Sequence, residues 1–177
     1  MTVRTRPATE ADYAVAGDIC ARAYQEAGQL DDDSDYADEL RNVAARAATA
    51  EVIVADDPDT GEILGCVTFV QPGSDLAELA KPDEAEFRML AVAPSAQRRG
   101  VGSALVRACL DRAVSLGYAA VSIYTRDYNV AGLAMYERFG FVRVPEMDWN
   151  PYDGLLLVAL RVELAPRDAA EVGAAAG

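Results

Sequence analysis

Apolar and polar positions along the chain separate segments with strand periodicity from segments with helical periodicity. Apolar runs of strand length occur at residues 3–6, 51–55, 63–70, 87–92, 119–124, 141–144 and 155–162. Helical spacing predicts helices over residues 10–27, 36–48, 101–116 and 130–139, with a partial helical turn at 75–80. A strand–helix–strand–helix–strand order in the second half predicts a mixed α/β domain.

The stretch from Phe87 to Leu116 is the most informative part of this pattern. Its apolar run ends at Pro94, which lacks the amide that a continuing strand would donate. The segment QRRGVG at residues 97–102 follows and leads directly into an amphipathic helix. The predicted buried face of that helix comprises Val101, Leu105, Ala108, Cys109, Ala113 and Leu116.

A strand, a glycine-containing loop and a helix N-terminus together predict an anion-binding site. The first turn of a helix presents unpaired N–H groups at the positive end of the macrodipole. Gly100 and Gly102 lack the Cβ atoms that would hold a phosphate away from those donors. No Gly-Lys-Ser/Thr follows, which excludes a P-loop, and Leu105 stands where a dinucleotide motif needs its third glycine. An ordinary glycine-containing connection is the alternative interpretation.

The pattern Gln-x-x-Gly-x-Gly between a strand and a helix resembles the signature of the GCN5-related N-acetyltransferase (GNAT) family. A second stretch, Asn129 followed by AMYERFGF at residues 134–141, is similar to the family's Asn followed by Leu-Tyr-x-x-x-Gly-Phe. The resemblance is detailed over residues 85–144 and extends to element order alone in the N-terminal half. It implies a GNAT-like α/β fold, with a central mixed sheet of about six to seven strands and about four flanking helices.

The resemblance also implies acetyl-CoA as co-substrate and a set of cofactor-binding residues. The pyrophosphate is expected on the loop amides of Arg98, Arg99, Gly100, Val101, Gly102 and Ser103. Extended pantetheine is expected to pair with the backbone of Leu90, Ala91 and Val92, which requires this strand to splay from its neighbour. Asn129 is expected at the pantetheine or adenosine end of the cofactor, and Tyr136 near the thioester.

Glu86 is the candidate general base, acting through water on the acceptor amine. A carboxyl group with an ordinary pKa near ~4.3 is a poor base, so the site must raise that pKa or relay the proton. Glu84 competes for this role if the strand starts earlier. Tyr124 stands where other family members carry their base, and an exposed strand-start carboxylate is the alternative interpretation of Glu86.

Tyr136 is the candidate general acid for the departing thiolate, because it matches the family tyrosine. A phenol with a pKa near ~10 is a weaker acid than a thiol near ~8.5, so we expect the site to tune it. Leu133, Tyr136 and Phe139 also form a helical stripe, so a packing role stays open.

The acceptor is less well defined by the sequence than the cofactor. Residues 30–40, LDDDSDYADEL, are acidic, which suits either helix capping and solubility or a rim that attracts an amine. Asp148, Trp149 and Tyr152 could line the acceptor groove or anchor a loop. A small amine, an antibiotic, an amino-acid derivative and a protein N-terminus all remain open as acceptors.

Composition narrows the function classes. The 16 basic and 29 acidic residues give a net charge of −13, which disfavours nucleic-acid binding. The chain has no histidine, which excludes Ser-His-Asp and Cys-His catalysis, and its three widely spaced cysteines suggest no metal site. No apolar run approaches the ~20 residues of a membrane span and the N-terminus lacks a signal-peptide core, so the prediction is a cytoplasmic protein.

We therefore predict an acetyl-CoA-dependent N-acetyltransferase that transfers acetyl directly to a primary amine of a small molecule or peptide. The alternatives are an enzyme that uses a longer acyl-CoA, a non-catalytic acyl-CoA-binding module and an acidic interaction protein without a ligand. Residues 1–165 are expected to form one domain and 166–177 a flexible tail. A homodimer is common in the resembled family and is possible here.

Overall fold

The computed structural model describes residues 2–30, 35–151 and 153–165. Within them lies a seven-stranded sheet in the order β1-β2-β3-β4-β5-β7-β6. Its strands are β1 (Arg4–Pro7), β2 (Glu51–Asp56), β3 (Ile63–Val70), β4 (Glu84–Val92), β5 (Ala120–Arg126), β6 (Val142–Arg143) and β7 (Leu157–Glu163). Neighbouring strands run antiparallel except β4 and β5, which are parallel. The predicted mixed α/β fold is confirmed, and the predicted tail lies outside the described residues.

In the described part of the chain, five α-helices pack around this sheet, with short 3-10 turns at three further places. The helices are α1 (Tyr13–Glu26), α2 (Tyr36–Arg41), α3 (Val43–Ala47), α4 (Val101–Leu116) and α5 (Val130–Arg138). The 3-10 turns are Glu10–Asp12, Pro94–Ala96 and Pro145–Met147. None of the helices that the structure describes is long and apolar enough to span a bilayer.

Three details of the predicted helices are wrong. The single helix expected over 36–48 is broken at Asn42, whose ψ of 67° leaves the helical region and whose side chain accepts a hydrogen bond from the Ala45 amide to start α3. Residues 75–80 form turns rather than a helical turn. Leu116 is exposed rather than buried, because α4 ends there and Gly117 takes the left-handed conformation.

The core lies on both faces of the central strands. All eight residues of β3 are buried, since α1 covers one face of the sheet and α4 the other. The Cys66 thiol points to the carbonyl of Ala16 on α1, while the position of a Cβ on Gly65 would meet Val101 and Leu105 of α4. Because helices pack on both faces of β3, its sequence is a continuous apolar run rather than an alternation of apolar and polar residues.

β4 and β5 diverge after a short parallel pairing. Their paired residues run only from Glu84 opposite Ala120 to Glu86 opposite Ser122. Beyond that point β4 stays paired with β3 and β5 with β7, so the facing edges of residues 87–92 and 123–126 separate. The splay that the resemblance requires is therefore present.

A bulge in β4 marks the same region. The register with β3 slips between the pairs Thr68–Arg88 and Cys66–Ala91, and Met89 has a φ of 55°. A positive φ is costly for a residue with a Cβ, so the packing on both sides must hold it. The bulge bends β4 where the cleft opens.

Candidate active site

The divergence of β4 and β5 opens a cleft of about 650 Å³ between them. One wall is the strand β4 from Glu86 to Val92, and the opposite wall is the end of β5 at residues 124–126. The N-terminal part of α5 closes one end, and the C-terminal part of α1 closes the other. This volume is in the usual range of small-molecule and cofactor sites.

The predicted cofactor loop adjoins the cleft: Gln97 lines it, whereas residues 98–103 do not. Gly100 caps α4 with a φ of 82°, and Arg98 has a φ of 59°. The amides of Gly100, Val101, Gly102 and Ser103 donate to no acceptor within the part of the chain that the structure describes. These donors at a helix N-terminus form a surface that favours an anion.

Gly102 connects this loop to the cleft wall. A Cβ built on it would lie 3.2 Å from the Met135 sulfur and 3.7 Å from a Val92 methyl carbon, and both of those residues line the cleft. The helix therefore approaches β4 and α5 as closely as a glycine permits. The side chains of Arg98 and Arg99 are exposed, and the Arg99 guanidinium donates to the Ser95 carbonyl at 3.3 Å.

The predicted pantetheine contacts Leu90, Ala91 and Val92 all line the cleft. Beyond Glu86, the edge of β4 that faces β5 pairs with no strand among the residues that the structure describes. Backbone groups on such an edge are available to an extended ligand, as they would be to an added strand.

Asn129 lines the same cleft but its amide already has two partners. Its Oδ1 accepts from the Gly132 amide at 3.1 Å and caps α5, while its Nδ2 donates to the Thr125 hydroxyl at 3.1 Å. A Cβ on Gly132 would lie 2.3 Å from Asn129 Nδ2, so this cap requires glycine at 132. The Asn129 side chain thus positions the start of α5 beside the cofactor edge.

Tyr136 lies against the aromatic core with its ring exposed only at the cleft. Its ring centroid is 6.1 Å from that of Phe87 and 5.7 Å from that of Phe141. Burial raises the pKa of Tyr136 well above the usual value of a phenol. A general acid for the thiolate would need a lowered pKa, whereas the pKa of Tyr136 is raised. At neutral pH the hydroxyl is therefore uncharged and can donate a hydrogen bond. That hydroxyl has no hydrogen-bond partner among the described residues.

Glu86 is almost fully buried, at 2% exposure, yet it lines the cleft. Its Oε2 accepts hydrogen bonds from the amides of Glu78 and Leu79 at 2.9 Å each and of Ala80 at 3.3 Å. Burial raises the pKa of Glu86, and the three amide donors and nearby Arg88 offset part of that rise. A general base that acts at neutral pH requires a raised carboxyl pKa, and burial shifts the pKa of Glu86 in that direction.

Glu84 begins β4 and also is buried, but it faces different partners. Its Oε1 accepts from the Arg161 guanidinium at 3.1 Å and its Oε2 from the Ser122 hydroxyl at 3.0 Å. It does not line the cleft. This carboxylate links three strands of the sheet, which removes the geometric basis for Glu84 as the competing base.

The other half of the cleft is built from side chains. Tyr24 of α1 and Tyr36 of α2 meet edge to face, with ring centroids 6.1 Å apart, and Tyr124 of β5 faces the same space. The Tyr124 hydroxyl donates to the Met147 carbonyl at 2.9 Å. Burial raises the pKa of all three phenols, so the aromatic wall is uncharged at neutral pH.

Two arginines in this half were missed by the reasoning from sequence. Arg88 donates to the Leu76 carbonyl at 2.7 Å and pairs with Glu78 at 3.0 Å, so it holds the loop before β4 over the cleft. Arg126 donates to the Gln29 carbonyl at 3.4 Å. A charged residue inside the apolar run 87–92, and another just before Asn129, were the available signals.

In the late loop, Asp148 and Trp149 do not line the cleft, whereas Leu155 near its end does. Asp148 accepts from the Ala159 amide at 2.9 Å and pairs with Arg143, and the Arg143 guanidinium holds the pKa of Asp148 below its usual range. Trp149 lies behind Tyr124, with ring centroids 6.1 Å apart. These two residues anchor the loop, which is the second of the two interpretations that the sequence left open, and Tyr152 lies outside the described residues.

Cys20, Cys66 and Cys109 are free thiols and are buried. Within residues 2–30, 35–151 and 153–165, no three Cys, Asp or Glu side chains come together as metal ligands. Burial raises the pKa of the Cys109 thiol on the core-facing side of α4, so this cysteine is a packing residue.

Comparison with known proteins gives one family and several partial relatives. The model of the acetyltransferase (GNAT) family matches residues 17–141. Mycothiol acetyltransferase from Mycobacteroides abscessus is 40% identical over 90 residues, which cover 51% of this chain and 28% of that protein. The ribosomal protein bS18-alanine N-acetyltransferase of Escherichia coli is 39% identical over 59 residues, 33% of this chain and 40% of that protein. The chain thus spans less than half the length of these curated relatives.

Solved structures match the fold over nearly the whole chain. A putative acetyltransferase from Salmonella typhimurium, solved with its cofactor acetyl-CoA, has a TM-score of 0.69 at 21% identity, covering 96% of this chain and 98% of that one. A GNAT-family acetyltransferase from Staphylococcus aureus has a TM-score of 0.72 at 11% identity, covering 93% and 100%. At these identities the likeness concerns the fold.

Proposed function

The chain belongs to the acetyltransferase (GNAT) family, and from that premise we propose that it transfers the acetyl group of acetyl-CoA directly to a primary amine. One observation carries the proposal: the unpaired edge of β4 beyond Glu86 lies beside the unpaired first-turn amides of α4. A strand edge suits the amide groups of pantetheine, and a helix N-terminus suits a diphosphate. The cleft and the adjoining start of α4, which meet at Gly102, Val92 and Met135, therefore offer the two parts of coenzyme A the chemistry that each requires.

The proposed cofactor contacts follow this division. The amides of residues 98–103 hold the pyrophosphate, and the exposed guanidinium groups of Arg98 and Arg99 add positive charge beside it. The backbone of Leu90, Ala91 and Val92 pairs with pantetheine. Asn129 fixes the start of α5, so that this helix forms the wall opposite the β4 edge.

Glu86 is the proposed general base, acting on the amine through a water molecule. Three amides occupy its Oε2, whereas Oε1 has no hydrogen-bond partner among the described residues and the side chain lines the cleft. Its raised pKa brings it closer to the amine it must deprotonate. The free amine then attacks the thioester carbonyl, forming the C–N bond, and the C–S bond breaks as the intermediate collapses. The proton that remains on nitrogen leaves through water to solvent, which yields the neutral amide and the thiolate of coenzyme A.

Tyr136 is proposed to stabilise the departing thiolate of coenzyme A. Because burial raises the pKa of its phenol, complete proton transfer to a thiolate is unfavourable. A hydrogen bond from the neutral hydroxyl to the sulfur stabilises the developing negative charge without that transfer. This role needs only the proton donor that the cleft offers at this position.

Binding and turnover of acetyl-CoA test the proposal separately. Acetyl-CoA at 100-fold over its Kd is expected to raise the free energy of unfolding by about 2.7 kcal/mol, measured by thermal denaturation. Release of free thiol from acetyl-CoA is then followed with a panel of primary amines. Absence of a thermal shift at saturating acetyl-CoA would refute the cofactor assignment. A shift without any acyl transfer to the panel would favour a binding module, and preference for a longer acyl-CoA would revise the donor.

The acceptor proposed at this level is a primary amine of a small molecule or a peptide. The curated relatives are named for both kinds, mycothiol and a ribosomal-protein alanine. A homodimer remains part of the proposal and is measured by light scattering coupled to size-exclusion chromatography.

A further inference from the structure

Of the two arginines that line the acceptor half of the cleft, Arg126 is the one without a carboxylate partner among the described residues. Among the described residues that line the cleft, four are charged: Glu78, Glu86, Arg88 and Arg126. Glu78 and Arg88 neutralise each other at 3.0 Å, and three amides bind the Glu86 carboxylate. Arg126 has no carboxylate partner among the described residues, and its guanidinium makes a long hydrogen bond of 3.4 Å to the Gln29 carbonyl. Among the described residues that line the cleft, Arg126 is therefore the cation left to bind an anionic group of a ligand.

Arg126 lies on the acceptor side of the sheet. It shares a face of β5 with Ser122 and Tyr124, because side chains two residues apart point the same way. The Ser122 hydroxyl meets Glu84, which shares its β4 face with Glu86. The Arg126 guanidinium reaches the end of α1 at Gln29, beside the aromatic wall of Tyr24 and Tyr36. It is thus on the opposite side of the sheet from α4 and its first-turn amides.

Building on the proposed function, we propose that the acceptor is a free amino acid whose carboxylate binds Arg126 while its amine faces Glu86 and the thioester. A guanidinium matches a carboxylate with two parallel hydrogen bonds, and burial in a cleft strengthens that interaction. The neutral wall of three tyrosines accepts an apolar or aromatic side chain.

The spacing along β5 is compatible with a small acceptor. Glu86 pairs with Ser122, so Arg126 is four residues, or ~13 Å, further along the strand. The length of the Arg126 side chain and a water molecule bound to Glu86 both shorten the distance that the acceptor must bridge. The remaining gap suits an amine and a carboxylate that are a few bonds apart.

The electrostatics of the whole chain favour a zwitterion over other charged amines. A net charge of −13 disfavours a highly anionic acceptor unless dedicated donors bind it, as the first-turn amides of α4 are proposed to do for the pyrophosphate of coenzyme A. Arg126 repels an acceptor that carries a second ammonium group in the cleft. An amino acid has no net charge at neutral pH, so neither the charge of the whole chain nor Arg126 repels it. Its carboxylate meets the Arg126 guanidinium, and its amine meets the Glu86 carboxylate.

The test compares matched acceptors that differ only in the carboxylate. Thiol release from acetyl-CoA is measured with α- and ω-amino acids, the corresponding amino-acid amides and the decarboxylated amines, for example L-phenylalanine, L-phenylalaninamide and phenethylamine. We expect at least one free amino acid to exceed its amide and its amine in kcat/KM by about 10- to 100-fold, the value of a hydrogen bond to a charged group. The amide also represents the N-terminus of a peptide, so a preference for amides would overturn the proposal in favour of a peptide acceptor.

Variants of Arg126 separate this inference from the proposed function. Arg126→Gln is expected to lower kcat/KM for the preferred amino acid by about 10- to 100-fold. The kcat/KM for phenethylamine and the thermal shift caused by acetyl-CoA should be unchanged. Arg126→Lys keeps the charge and should retain part of the activity. The control Arg22→Gln removes the same charge from an exposed position of α1 outside the cleft lining and should change none of these values.

Each of the remaining outcomes overturns either the role of Arg126 or the proposed function. An intact acetyl-CoA shift with equal turnover of acids, amides and amines would overturn the carboxylate role of Arg126 and leave the acetyltransferase proposal standing. An unchanged acid-to-amide ratio in Arg126→Gln would overturn it in the same way, as would the absence of turnover with every amino acid. Loss of the acetyl-CoA shift in the wild-type protein would refute the proposed function itself.

Discussion

Backbone groups form one half of the site, and side chains form the other half. The cofactor half consists of backbone: an unpaired strand edge at Leu90–Val92 and unpaired amides at the start of α4. The acceptor half consists of side chains from four separate elements, including Tyr24, Tyr36 and Arg126. Backbone groups are the same in every sequence, so the cofactor half depends on where the chain splays and where glycines stand. The acceptor half depends on which side chains four distant segments happen to bring together.

This difference predicts how each half responds to substitution. A backbone site is lost when its geometry is blocked and is insensitive to most side-chain changes. A side-chain site changes its preference by single residues while the cofactor continues to bind. The following variants test this contrast, from the largest expected effect to the smallest.

Gly100→Glu should abolish cofactor binding. Gly100 has a φ of 82°, and a carboxylate there would stand among the donors proposed for the pyrophosphate. Losing two hydrogen bonds to a charged group is expected to raise the Kd for acetyl-CoA about 10³-fold, measured by isothermal titration. Gly61→Glu is the matched control, because Gly61 has a φ of 74° and open space in the turn after β2. Equal loss of binding in both variants would show that strain, rather than a blocked site, is responsible.

Glu86→Gln should lower kcat/KM about 100-fold at neutral pH, the usual contribution of a general base. A base acts in its deprotonated form, so activity is lost as pH falls through the pKa of Glu86, which burial raises. We expect this acidic limb of the pH–rate profile in the wild type and its absence in the variant. The glutamine carbonyl can still accept from the amides of residues 78–80 and hold that loop. A variant that keeps the acidic limb would contradict the catalytic role and leave Glu86 as a loop anchor.

Tyr136→Phe should lower kcat by about 10-fold, since it removes one hydrogen bond to a charged leaving group. The aromatic packing against Phe87 and Phe141 is retained, so stability and acetyl-CoA affinity should be unchanged. Steady-state kinetics with saturating acetyl-CoA measure this effect. An unchanged kcat together with lower stability would assign Tyr136 to the core alone.

Glu84→Gln should affect stability and leave catalysis within about twofold. It removes the charge that binds Arg161 and Ser122, at a cost of about 2 kcal/mol in the free energy of unfolding, measured by urea denaturation. Glu84 and Glu86 are two residues apart on one strand face, so this variant is the control for Glu86→Gln. Loss of the acidic limb in Glu84→Gln would transfer the role of base to Glu84.

The parts that could be predicted from sequence are those that local rules determine. Pro94 ends β4, Gly100 and Gly117 bound α4, and Asn129 starts α5, because each acts through its own backbone or its nearest neighbours. The family signature lies on the same residues, so the proposed cofactor site also follows from local sequence. The break at Asn42 was missed because the apolar spacing continues through it while the backbone does not.

The remaining parts were decided by tertiary structure. The sequence alone determined the order of strands and helices, the glycine loop and the candidates Glu86 and Tyr136. Packing decided that Glu84 binds Arg161 while Glu86 lines the cleft, that Trp149 lies behind Tyr124, and that Arg126 faces the acceptor side. Such roles depend on contacts between residues far apart in the chain, and on burial, which sets each pKa. No local pattern carries that information, because the same side chain is a structural ion pair or a site residue according to what packs against it.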